Sequence, residues 1–87
     1  MDSKEHARQL LRVFRKRGEG LKEEYVEDNN YAIECAEELV RLLEMADPDK
    51  DDVDVLLSKL ETDRGALGCA WIDLSMCANR LRPRQRK

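Results

Sequence analysis

The sequence predicts an all-α fold, a small bundle of three to four helices, and three observations carry that prediction. Apolar residues recur at the spacing of a helical face in four successive segments, and no stretch alternates with the period of a strand. Two prolines (Pro48, Pro83) and four glycines (Gly18, Gly20, Gly65, Gly68) are the strong breakers, and they fall mostly where those segments start or stop. The 87 residues suffice for one domain, expected over residues 1–82, followed by a basic flexible tail over 83–87.

The first helix is expected from about Ser3 to Arg17, with Asp2 or Ser3 as N-cap, Glu5 in the first turn and Gly18 as its stop. Ala7, Leu10, Leu11 and Phe14 form its apolar stripe, while Lys4, Arg8, Arg12, Arg15 and Lys16 gather on an arc of the remaining surface. Such a basic arc suits water, an acidic helix of this chain or of a partner, or a phosphate or anionic lipid surface.

The second helix should end near Met45 or Ala46, because a residue ahead of proline is pushed out of the helical region. Its start is open between Leu21 and Tyr31, since Asp28-Asn29-Asn30 favour caps and turns. From Tyr31 onward, Ala32, Cys35, Ala36, Leu39, Leu42, Leu43 and Ala46 make a core arc, and Glu34, Glu37, Glu38, Arg41 and Glu44 cluster opposite as an acidic ridge. A third helix, about Asp51 to Glu61, presents Val53, Leu56, Leu57 and Leu60 on one face. Asp47, Asp49, Asp51 and Asp52 crowd its start, where negative charge complements the exposed N–H groups. Their alternation looks like the opening of a calcium loop, but Asp52 stands where that loop needs glycine and Ser58 where it needs glutamate.

The fourth segment, from Thr62 or Asp63 to Arg82, is apolar on two sides. Leu67, Ala70, Trp71, Leu74, Ala78 and Leu81 form one stripe bordered by Cys77, and Gly65, Cys69, Ile72 and Met76 lie opposite. A helix of that kind is either buried in the middle of the domain or uses its second face against another molecule. Gly65, Gly68, Cys69 and Ala70 are small enough to allow close helix approach.

Charge is abundant and segregated. Charged residues make up 40% of the chain and the formal net charge is −3, yet residues 1–17 carry +4, residues 80–87 carry +5 and the span between carries −12. A pI near 5.2 is far from the footprint of a dedicated nucleic-acid binder, so the basic ends are expected to fold against the acidic middle. Nucleic acid is the alternative partner, gripped by Arg80, Arg82, Arg84, Arg86 and Lys87. A helix-turn-helix reading of the third and fourth segments fails, because the fourth shows apolar residues where base-reading polar ones belong.

Cys35, Cys69 and Cys77 are odd in number and never closely spaced, which points to free thiols in a reducing compartment and to small apolar side chains, not to a disulfide framework or a zinc site. The chain has one histidine, His6, and neither a phosphate-binding glycine loop nor a nucleophile elbow, so the reading is non-enzymatic, without metal or cofactor. The longest nearly uncharged run, Gly65 to Ala78, is 14 residues and too short to span a membrane, and the N-terminus does not read as a signal peptide, which makes a cytoplasmic protein the expectation.

The function expected is binding of another protein, as a small regulator or inhibitor acting through a helical surface; a homodimer or a homo-oligomeric assembly subunit is also consistent. The candidate contact residues are Cys69, Ile72 and Met76 on the second apolar face, Arg8, Arg12 and Arg15 on the basic arc, and Glu34, Glu37 and Glu38 on the acidic ridge. No family motif is present. In size and composition alone the chain resembles phage-encoded helical inhibitors, anti-CRISPR proteins among them, which implies a phage or mobile-element setting and assigns no residue a role.

Overall fold

Asp2 starts the first helix as the sequence requires: its backbone is extended and its carboxylate accepts the Glu5 N–H at 2.9 Å. In this computed structural model, which describes residues 2–81, helix α1 spans Ser3–Gly18, α2 Glu23–Glu44, α3 Lys50–Thr62, α4 Arg64–Leu67 and α5 Ala70–Ala78, closed by a 3-10 turn over Asn79–Leu81. The fold is the expected small all-α bundle. Arg82, Arg84, Arg86 and Lys87, and with them the tail over 83–87, lie outside the described residues.

Helix α2 runs unbroken through Asp28-Asn29-Asn30, so its start is Glu23 and the turn-forming trio is overridden. The reason is tertiary. The Asn29 side chain is buried, and its Nδ2 donates to the Phe14 carbonyl at 2.9 Å while its Oδ1 has no hydrogen-bond partner among the described residues, so the side chain is held in the α1–α2 seam and not turned back on its own backbone. A Cβ at Gly18 would come within 3.0 Å of that Nδ2, and the bare backbone leaves room for it. The helix stops at Glu44, a residue earlier than expected, and Asp49 caps α3 by accepting the Asp51 N–H at 2.7 Å.

The expected continuous fourth helix is broken. Gly68 adopts φ 60°, ψ −134°, a conformation that side chains disfavour, and the chain restarts as α5 two residues later, at Ala70. Gly65, Gly68 and Cys69 are exposed, so of the four small residues expected to allow close helix approach only Ala70 is buried. Of the three thiols, Cys35 and Cys77 are buried, and Cys69, a candidate contact residue of the second apolar face, is exposed.

The core is one cluster. Phe14 of α1, Leu39 and Leu42 of α2, Leu56 and Leu60 of α3, and Leu74 of α5 are the large side chains buried almost completely, and Trp71, Leu81, Leu57 and Tyr31 pack at its edge. Helix α2 touches every other element. At about 1.5 Å per residue its 22 residues form a rod of roughly 33 Å, which gives the molecule its 46 × 25 × 19 Å outline. Among the described residues no helix is long and apolar enough to cross a membrane.

Two glycine substitutions should act with opposite sign. Gly68→Ala forces a side chain into the left-handed region and should cost about 1 kcal/mol or more, whereas Gly65→Ala, helical and open to space, should stabilise by roughly 0.5–1 kcal/mol. Phe14→Ala should remove about 3–5 kcal/mol. Urea denaturation followed by circular dichroism measures all three.

Candidate protein-docking surface

The corner between α3 and α5 sets where the second apolar face points. Two adjacent side chains hold it. The Tyr31 hydroxyl of α2 donates to the Asp63 carboxylate at 2.5 Å, and the Arg64 guanidinium lies 4.0 Å from the Trp71 ring centroid, over its face. Gly68 then redirects the backbone, and its carbonyl accepts the Trp71 N–H at 3.1 Å to start α5. With Ala70, Leu74, Cys77 and Ala78 anchored in the core, the opposite face turns outward.

That outward face carries Ile72 and Met76, 56% and 58% exposed, together with exposed Cys69 and Asn79. The spacing of these four residues puts them on one side of the helix. What distinguishes the strip is the absence of charge. From Asp2 to Arg64, 25 of the 35 exposed residues are charged; from Gly65 to Asn79 all seven exposed residues are uncharged. Asp73 is half-buried at one flank of the strip, and exposed Arg80 lies two turns further along the same flank. Neither forms a salt bridge among the described residues. On the other flank, Trp71 Nε1 and Ser75 Oγ are buried without a hydrogen-bond partner among the described residues.

The charged candidates are arranged differently. Arg8 reaches across to Glu44 at 2.7 Å and Arg15 to Glu37 at 3.0 Å, so much of the basic arc of α1 is docked on the ridge of α2 within the chain. The two bridges are seven residues apart on each helix and run in opposite directions, which fixes one antiparallel register. Glu38 pairs with Arg41, which also reaches Asp52 of α3 at 3.5 Å. Arg12 and Glu34 are exposed and join no salt bridge among the described residues. The structure therefore brings Arg15 and Glu37 together, gives Arg8 to Glu44, keeps Cys69, Ile72 and Met76 on a separate face, and leaves Arg80 of the basic end in the turn after α5.

Other chemistry finds little support in the arrangement. Among the described residues no three His, Cys, Asp or Glu side chains are grouped so that they could hold a metal ion. A cleft of about 380 Å³ lies between the α2–α3 loop and the final turn, with Leu42, Leu43 and Val53 as its floor and Asp47, Lys50, Asp54 and Arg80 around it. Its four charges are two of each sign, and it holds no nucleophile–base pair. The bond to Asp63 and burial raise the Tyr31 phenol, and burial raises the Cys35 and Cys77 thiols. No known protein family matches the chain, and no curated protein or solved structure does so either.

Sequence reasoning located Ile72 and Met76 but missed Asp73, Asn79 and Asn29. The i, i+7 relation of Asp73 and Arg80 was readable from spacing; the role of Asn29 was not, since it depends on a carbonyl of another helix.

The Tyr31–Asp63 bond gives stability a pH dependence. The folded chain holds the phenol neutral above its ordinary value of 10.0, so this contribution is complete below about pH 10 and is withdrawn as pH rises further. The buried thiols act with the same sign, starting from an ordinary value of 9.0. Thermal unfolding between pH 8 and 11.5 should show a falling midpoint, and Tyr31→Phe, which cannot ionise there, should fall less steeply.

Proposed function

We propose that this chain is a non-enzymatic protein-binding module, a small regulator or inhibitor that acts through the exposed face of α5. The observation that supports the reading is the uncharged strip of exposed Cys69, Ile72, Met76 and Asn79 on a surface otherwise dominated by charge. Depletion of charge is the compositional mark of an interface core, because burying an unpaired charge is costly while burying Ile72 and Met76 is favourable. Interaction energy should concentrate there, with the surrounding charges tuning approach and orientation.

The alternative, a nucleic-acid-associated regulator, draws less support. Arg8 and Arg15 are occupied by glutamates, which leaves less of the α1 arc for phosphate. The three free thiols fit a reducing, cytoplasmic setting.

A photo-crosslinking residue placed in turn at Ile72, Met76, Arg12 and Glu34 tests the reading in the producing cell. Adducts should form at 72 and 76, disappear when Met76→Glu is added to the Ile72 probe, and be absent at 12 and 34. Adducts mapping to Arg12 or Glu34 instead would overturn it, as would steeply salt-dependent binding to a DNA or RNA duplex that Met76→Glu leaves intact.

A further inference from the structure

We infer that the α5 face pairs with a second copy of this chain, antiparallel, through reciprocal Asp73–Arg80 ion pairs on either side of a Met76 contact. The inference rests on the docking reading above and names the occupant of that face.

The argument is one of charge placement. Asp73 lies in α5 and Arg80 seven residues on, in the 3-10 turn that continues it, about 11 Å further along the axis on the same flank of the uncharged strip. Arg80 acts on Asp2 only at longer range, and neither Asp73 nor Arg80 has a salt-bridge partner among the described residues. A two-fold axis perpendicular to α5 at the height of Met76 and Cys77 carries the flank of one helix onto the same side of the seam as that of the other, with direction reversed. Asp73 then stands level with Arg80 of the second copy, and Arg80 with its Asp73, so both opposite charges are matched by one symmetry operation. Met76 meets its own counterpart on the axis, and Ile72 lies beside Asn79 of the second copy. No charge enters the centre of the seam. A parallel pairing would put the charged flanks on opposite sides and match neither. A foreign partner would have to supply a cation and an anion at this spacing around an apolar centre; the chain itself already presents that pattern.

The alignment also predicts which positions come together. Position 76 lies next to its own copy, whereas positions 72 are about nine residues, or roughly 13 Å, out of level and positions 69 further still.

The test uses the full chain with Cys69→Ser, so that no exposed native thiol among the described residues interferes. In sedimentation equilibrium the mass should rise from 10.1 kDa toward twice that value between about 10 µM and 1 mM, the range fitting a seam at the small end of interface sizes. Asp73→Arg and Arg80→Asp should each weaken association at least about tenfold, and the two variants, helical by circular dichroism, should associate when mixed as the parent does alone, because the mixture restores both pairs. Under mild oxidation Met76→Cys should form a disulfide-linked dimer and Ile72→Cys should not. A monomer at all concentrations overturns the pairing, and so does a mixture that associates no better than its components or preferential cross-linking through position 72. If the chain stays monomeric while probes at 72 and 76 still capture a different protein, self-pairing fails and the docking reading stands; if neither is seen, both fail.

Discussion

Every other helix rests on one face of α2, and the width of that face is the constraint from which the architecture follows. Ala32, Cys35, Ala36, Leu39, Leu42 and Leu43 are small or medium side chains in a stripe along a single rod. A stripe can be covered from two or three directions, but it cannot generate the depth needed to bury another helix on all sides. Helix α5 therefore gives up one face to the core and leaves the other in water. The exposure of Ile72 and Met76 is a consequence of how little core 87 residues can build.

Electrostatics settles orientation where burial alone would not. Apolar stripes tolerate sliding by a turn, since leucine against leucine looks much the same one turn later. Arg8 with Glu44 and Arg15 with Glu37 do not tolerate it, because a one-turn shift breaks both together. Each pair is exposed and individually weak, so the contribution lies in selecting one register among near-equal alternatives. The buried Asn29 amide on the Phe14 carbonyl acts to the same end with higher stakes, because misalignment would leave a polar group unpaired inside the core.

Much of this was legible from residue spacing. The cap at Asp2, the apolar stripes of α1, α2 and α3, and the two-sided character of the last segment all follow from periodicity and local chemistry, which are properties of neighbouring residues. The failures share a different cause. Periodicity is blind to a single residue of unusual backbone angle, so the break at Gly68 was read as continuous helix and its glycines as packing residues. Turn propensity at Asp28-Asn29-Asn30 gave way to a contact with a carbonyl 15 residues away, which no local window contains. The basic arc of α1 admitted several partners from sequence, and geometry gave two of its arginines to α2.

The α1–α2 hairpin has a consequence for how the molecule comes into being. Its two helices are consecutive in the chain, its tightening bonds join residues within about 40 positions of each other, and none of them requires α3, α4 or α5. During synthesis the hairpin emerges before α3, α4 and α5 and can close while they are still being made. Until α5 arrives, Phe14, Leu39 and Leu42 have only part of their cover. The nascent chain thus passes through a stage in which its future core is itself a sticky surface.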